Sequence, residues 1–308
     1  MERCVVIVGN DPGDVSESQI SREVCAISLR REDHLRSLEA LPTAMRYESE
    51  ACVPVSGNQV YVTGVGENRK ETWKLDPESG WTRCGDMIQG RRRHCATFVN
   101  NTTMYVLGGM ADEHHGEDVL DSVEKFDTET NTWTAVGTLN HTTCFAACVV
   151  HHNSIYIFGG RCDLDKSSLR CVQVFNTTSG VCTDLPQCLP RRMQMLRAAI
   201  QGTFVIIIGK NDGVIFDLKQ ETFKERRQFA TGVNQFGLLV ENERVFLIGG
   251  HTKVKRADGT AIRPSRDDVQ SVAVKDIINN SPAKWSHHAT LPQPAFIHAF
   301  AVLTLPRI

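Results

Sequence analysis

Shortages narrow the field before any motif is read in this 308-residue chain. Basic residues are not in excess: 34 Lys and Arg stand against 36 Asp and Glu, for a formal net charge of −2. A nucleic-acid partner, which needs a dense cationic surface, therefore has no support, and no acidic tail is present. No apolar run approaches the roughly 20 residues that cross a bilayer. Residues 5–8 are too few for the core of a secretory leader, and Asn10-Asp11-Pro12 ends them. Gly-x-Ser-x-Gly and a phosphate loop are both missing. Gly64-Val65-Gly66 lacks the third glycine and the following helix of a dinucleotide site.

The eleven cysteines are odd in number and irregular in spacing. That excludes a regular disulfide framework, and no Cys/His zinc pattern follows Cys144 and Cys148. Most lie in apolar segments (Cys4, Cys25, Cys52, Cys95, Cys148, Cys171), the placement of reduced thiols that serve as small core residues. The expected compartment is the cytoplasm, with the nucleus also allowed. The Asn-x-Thr sequons at Asn101, Asn140 and Asn176 are then expected to stay unmodified. The pairs His114-His115, His151-His152 and His287-His288 place neighbouring side chains on opposite faces of a strand, which disfavours metal binding by a pair. These absences predict a non-catalytic chain with no cofactor and no metal.

What is there is a phrase of two to four large apolar residues followed by Gly or Gly-Gly. It closes on Gly9, Gly64, Gly108, Gly159, Gly209 and Gly249. The interval is near 50 residues, the spacing of a propeller-type repeat. The best copy runs from Arg93 to Leu139. It reads as strand A over 95–99, strand B over 104–107 ended by Gly108-Gly109, strand C over 122–127, and strand D opening with Trp133. Strand B is apolar throughout, which predicts burial on both faces between stacked sheets. Seven residues separate Phe126 from Trp133, Phe175 from Cys182 and Phe216 from Phe223, so the Trp position holds Cys and Phe in two copies.

This ensemble (apolar run, Gly-Gly, apolar-Phe-Asp, then Trp) resembles the kelch repeat along nearly the whole chain. The resemblance implies an all-β, six-bladed kelch propeller with four-stranded antiparallel blades. The chain opens in a strand B and ends, over 296–305, in a strand A. Joining the two closes the ring and removes a free sheet edge. One domain over 1–308 is expected, with blades at 1–42 plus 294–308, 43–90, 91–140, 141–190, 191–233 and 234–293. The start in mid-blade suggests a propeller excised from a longer chain. Some propellers with this repeat are copper radical oxidases that use tyrosine ligands. Here Tyr61, Tyr105 and Tyr156 fall on strand B, and Tyr47 alone cannot make such a site.

Loops on a rigid scaffold are where binding residues concentrate. In kelch proteins the B–C loops and the D–A links between blades line the mouth of the central channel. Carried over, these loops hold Arg46, Tyr47, Arg69, Arg92, His94, Arg161, Arg191, Arg192, Gln235, Phe236 and His298 as candidate partner contacts. Recurrent arginine favours an acidic or phosphorylated peptide, because guanidinium forks pair with carboxylates and phosphates. The alternative assigns these arginines to solvent or to Asp112, Glu113, Glu117, Asp118, Asp163 and Asp165, and the aromatics to structural plugs. The stretch 252–268 is the longest loop, either a surface loop or a partner-contacting arm.

The repeat looks most like the C-terminal propeller of proteins that join BTB and BACK regions to kelch repeats. That resemblance implies a substrate-recognition module of a cullin-3 ubiquitin ligase adaptor, with cullin-3 held by the part of the parent chain not present here. No membrane or nucleic-acid partner is expected. The alternative is an actin-associated or other cytoskeletal kelch scaffold.

Overall fold

The computed structural model describes residues 2–8, 20–21, 24–28, 35–43, 45–46, 55–113, 116–162, 167–209, 213–224, 233, 236–252, 254–255, 261–262, 266–279, 285–291 and 299–305. They form an all-β propeller of four-stranded antiparallel blades, with strands A to D running outward. The sheets combine Ala299–Leu305, Glu2–Val8, Val24–Ser28 and Leu35–Ser37 as blade 1. Blade 2 is Val55–Ser56, Gln59–Val65, Glu71–Asp76 and Gly80–Arg83. Blade 3 is Cys95–Phe98, Thr103–Leu107, Ser122–Asp127 and Thr132–Thr138. Blade 4 is Ala147–His151, Ser154–Phe158, Val172–Asn176 and Cys182–Asp184. Blade 5 is Arg197–Gln201, Phe204–Ile208, Gly213–Asp217 and Thr222–Lys224, and blade 6 is Gly237–Glu241, Arg244–Ile248, Asp268–Ala273 and Ser286–Thr290. The A strands of blades 2 to 6 touch one another in succession. In blade 1, Glu2–Val8 pairs with Ala299–Leu305 from Glu2 opposite Leu305 to Val8 opposite Ala299.

The core is divided into slabs, each lying in the seam between two blades. Val6, Val24 and Ala26 of blade 1 pack with Val60, Val62 and Leu75 of blade 2. Tyr105 and Leu107 of blade 3 pack with Ile155, Ile157 and Phe175 of blade 4, and the blade 4–5 and 5–6 seams repeat the arrangement. One aromatic device recurs. A strand B tyrosine meets the strand C phenylalanine of the next blade: Tyr61 with Phe126 at 6.4 Å, Tyr105 with Phe175 at 6.1 Å, and Tyr156 with Phe216 at 6.1 Å between ring centroids. That phenylalanine faces the strand D slot directly, as the seven-residue spacing suggests. Phe126 is opposite Trp133, Phe175 opposite Cys182 and Phe216 opposite Phe223. Such aromatic pairs contribute about 0.5–1.5 kcal/mol each beyond simple burial. The tryptophans also stitch blades by hydrogen bonds. Trp133 Nε1 donates to Gly85 O at 2.9 Å and Trp81 Nε1 to Glu39 O at 2.8 Å, each reaching back to the preceding blade.

The Asp that follows the strand C apolar residue has a local cause. Asp127 Oδ1 accepts the backbone N–H groups of Glu129 and Thr130 at 2.9 and 3.0 Å, closing the C–D turn. Asp76 and Asp217 close theirs in the same way, and Asn176 serves in blade 4. These are Asx turns, in which a short side chain stands in for a backbone carbonyl. The Gly pair is equally forced. Gly108 and Gly109 have φ of 61° and 101°. A Cβ on Gly108 would lie 2.4 Å from Thr143 O, where the next blade's link passes. Only glycine takes both the left-handed backbone and the close approach.

Three features go beyond the repeat pattern. The acidic loop after Gly109 is a hairpin, Met110–Glu113 against Gly116–Val119. Within the 252–268 stretch, Val254–Lys255 pairs with Ala261–Ile262, so that segment is in part a ribbon. A short helix, Val274–Ile278, sits in the C–D connection of blade 6 and buries Val274 and Ile277. No helix among the described residues is long and apolar enough to cross a membrane.

Candidate functional site

The B–C loops and D–A links meet at one end of the blades through backbone bonds. Arg92 and Met110 exchange N–H···O bonds of 2.9 and 2.8 Å, and Cys144 and Arg161 do the same at 3.0 and 2.8 Å one blade on. In blade 2 the link is held by Arg91 N donating to Arg69 O at 3.1 Å. Ile20–Ser21 pairs with Met45–Arg46 across blade 1. The residues that follow the two bridges, Arg93 and Phe145, have φ of 55° and 57°, and Met195 in the next link has φ of 54°. A non-glycine residue with such a φ is uncommon, and here it marks the same position in three successive repeats. The kink re-aims the chain from the link into strand A.

Directly beneath this layer lies a buried ion pair. Arg91 is 0% exposed and Glu124 is 2% exposed, and Arg91 Nη2 donates to Glu124 Oε1 at 2.5 Å. Arg91 also donates to Gly108 O at 2.8 Å, to Ser122 O at 3.0 Å and to Ser122 Oγ at 3.0 Å. Glu124 in turn accepts the backbone N–H groups of Ile88 and Gln89 at 2.8 and 3.1 Å. Burial lowers the Arg91 pKa, and the Glu124 carboxylate opposes that shift. Beside it, His94 shares a 2.9 Å hydrogen bond with Thr63 Oγ1. Burial, aided by the Arg91 charge, pushes the His94 pKa down to about 3, so the imidazole is neutral at physiological pH. This pair and histidine lock blade 2 to blade 3.

Above them the side chains change character. The Arg93 guanidinium stands 4.4 Å from the centre of the Phe145 ring, and the Arg161 guanidinium 5.6 Å from the same ring. Both arginines direct an N–H at Met110 Sδ at 3.6 Å. Phe145, Met110, Val119 and Cys144 form a small apolar cluster of their own. Two cations are thus held around one aromatic plate, a cation–π arrangement that helps fix their positions. Farther along, the exposed Arg192 donates to Ser167 Oγ at 3.1 Å and Ser168 O at 2.8 Å. Arg191 is exposed.

The sequence candidates divide accordingly. Arg161, Arg191 and Arg192 are accessible in part or in full. Arg69, Arg92 and His94 are buried. Phe236 is 1% exposed and packs with Val233, Leu238 and Leu247, which is the plug alternative. Arg46 lies on a described strand, and its side chain is outside the described set; Tyr47, Gln235 and His298 lie outside the described residues. Arg93 and Met110 lie in the loops named above but are not among the candidate partner contacts. The run Arg91-Arg92-Arg93 gave no sign of which arginine is buried, and Met110 follows a glycine pair like any loop residue.

A family model described as the KLHDC2/KLHL20/DRC7 Kelch-repeats domain matches residues 49–250. Mouse Kelch-like protein 35 is 26% identical over 216 residues, which cover 69% of this chain and 36% of that protein. Human Kelch-like protein 38 is 21% identical over 305 residues, covering 96% of this chain and 49% of that protein. This chain therefore spans between a third and a half of the length of these relatives. The solved structure of YjhT superposes with a TM-score of 0.68 at 15% identity, covering 83% of this chain and 88% of that one, a likeness of fold alone. With the family model spanning most of the repeats laid out above, the chain belongs to the Kelch-repeat family of that description.

Proposed function

We propose that this domain is a non-catalytic protein-recognition propeller, the substrate-binding part of a cullin-3 ubiquitin ligase adaptor. It captures an acidic or phosphorylated peptide segment at the mouth formed by its B–C loops and D–A links. The observation that carries this reading is the pair Arg93 and Arg161 held about Phe145, with Arg191 and Arg192 on the following link. Guanidinium groups preset in this way lose little freedom on meeting a carboxylate or phosphate. The Kelch-like relatives support a protein partner, and they carry the cullin-3 assignment only by analogy. The same reading takes residues 1–308 as one six-bladed ring, which the pairing of Ala299–Leu305 with Glu2–Val8 supports.

The test is a comparative pull-down from cytosol with quantitative mass spectrometry. One bait is the domain as it stands, and the other carries R161A, R191A and R192A, with folding checked by thermal melting. Partners lost at least tenfold from the substituted bait support peptide capture at the mouth. Partners kept equally by both baits, filament proteins above all, move the contact to the blade sides and favour a cytoskeletal scaffold. Co-purification of cullin-3 with the full-length protein tests the ligase link separately.

A further inference from the structure

The link from blade 4 to blade 5, residues 185–196, carries two different chemistries three residues apart, Arg192 and Met195. Backbone bonds fix its course along the B–C loop of blade 4. Leu189 N donates to Arg170 O at 2.8 Å, Met193 N to Leu169 O at 3.2 Å, and Gly160 N to Met193 O at 2.9 Å. Arg192 stays on the loop side. It is exposed, and its Nη1 donates to Ser167 Oγ at 3.1 Å and to Ser168 O at 2.8 Å. Both acceptors are neutral, and Arg192 forms no ion pair among the described residues.

Met195 turns the other way. After its left-handed φ of 54°, Leu196 N donates to Phe145 O at 3.2 Å, just as Phe145 N donates to Arg93 O at 3.0 Å one blade earlier. Successive links are thus joined at the inner rim, about as close as neighbouring strands, roughly 5 Å. Met195 packs on the cluster of Met110, Val119, Cys144 and Phe145. Those four are buried and Met195 is half-buried, so Met195 carries the accessible surface of the cluster. A flexible, polarisable thioether side chain adapts to apolar partners of several shapes.

Resting on the reading of the mouth as a peptide site, we propose that Met195 is a specificity-determining residue. The captured segment carries a large apolar side chain that packs on Met195 and an acidic group that meets Arg192. The acid lies on the loop side, outward of the apolar residue. Three residues of chain span at most about 10 Å, so in an extended peptide the two groups stand about two to four positions apart. A purely acidic segment satisfies Arg192 and leaves Met195 in water.

The experiment selects a random-peptide display library on the folded domain and measures the enriched peptides by fluorescence polarisation. The expected sequences pair Asp or Glu with Leu, Met or Phe within about four positions. M195A and R192A should each weaken binding about tenfold, and M195L should stay within about twofold. A peptide whose apolar residue is changed to Ala should lose affinity for the unsubstituted domain and lose no more for M195A. If thermal melting shows that M195A does not fold, M195Q, close in size and more polar, takes its place in the cycle. Enriched acidic peptides with no apolar preference, or an apolar residue whose loss adds to that of M195A, overturn this inference and leave peptide capture standing. Peptides indifferent to both R192A and M195A, or no enrichment at all, overturn the reading of the mouth and this inference with it.

Discussion

Thr143 does with a hydroxyl what Arg91 does with a guanidinium. Thr143 Oγ1 donates to Gly159 O at 3.0 Å, and Arg91 Nη1 donates to Gly108 O at 2.8 Å, each capping the first glycine of its repeat's pair. The partner changes in step: Gln173 fills in blade 4 the place that Glu124 fills in blade 3. Gln173 accepts His141 N at 2.8 Å and donates to His141 O at 3.2 Å, so it holds the link without charge. Breaking one side of a buried ion pair costs about 3–5 kcal/mol, because the other charge stays behind unpaired. E124Q alone should therefore cost about 3 kcal/mol in denaturant unfolding. R91T/E124Q, which copies the neutral version, should cost less than E124Q. A double substitution as damaging as the sum of its parts would remove the pairing argument.

His94 sets an acid limb. Its folded pKa of about 3 lies below the 6.5 of a free imidazole, so unfolding takes up a proton between those values. Stability is complete above about pH 6.5 and is lost as pH falls toward 3, by about 1.4 kcal/mol per pH unit for one proton. H94Q should flatten the dependence of stability on pH between about 6 and 4 by that slope, measured by urea titrations at each pH. An unchanged slope would place the proton uptake elsewhere.

Asp76 titrates in a lower window. Gln59 Nε2, donating at 2.9 Å, and the N–H groups of Glu78 and Ser79 pull its pKa down to about 2 from 3.8. Its contribution is present above about pH 4 and fades as pH falls through 2. The turn itself needs the acceptor more than the charge, since Asn176 closes the blade 4 turn. D127N should keep the melting temperature near that of the unsubstituted protein, and D127A should lower it. Equal losses from both would mean that charge, and not the Asx turn, is what matters there.

Glycines at one repeat position should respond differently. G108A forces a residue with a side chain to φ of 61° with a Cβ 2.4 Å from Thr143 O, and should cost at least about 2 kcal/mol. A Cβ on Gly209 would meet Leu196 Cδ2 at 3.1 Å and Met193 Cε at 3.5 Å, both ends of flexible side chains. G209A should stay within about 1 kcal/mol. The comparison is made by chemical unfolding of the two variants side by side.

The strands were legible because burial on both faces writes an apolar run without alternation, as in Val205, Ile206, Ile207 and Ile208, all fully buried. The seven-residue spacing of Phe126–Trp133, Phe175–Cys182 and Phe216–Phe223 was legible, and the structure gives it a meaning as cross-strand pairs, because turn length fixes register. The site was read less well, for a physical reason. Arg91, Arg92 and Arg93 are consecutive, and the left-handed φ at Arg93 turns it away from the path its neighbours follow. Charge alone does not reveal that Arg91 is consumed by Glu124, a residue 33 positions away in the next blade. Phe236 could not be told from a surface contact because an aromatic plug and an aromatic anchor share the same sequence context. The helix Val274–Ile278 left no signal, since five residues in a loop are too few to show a 3.6-residue period.

The slab arrangement of the core has a consequence for how this protein can fail. Each of these apolar layers belongs to two blades, so blade 2, 3, 4 or 5 cut out alone would carry half of two layers and the whole of none. Damage at one position, such as Tyr105 against Phe175, loosens a seam and thereby unsettles both of its walls, while blades two places away keep their own seams. Partial unfolding should travel from neighbour to neighbour around the domain, and the smallest unit able to stay folded is a pair of blades with the seam they share.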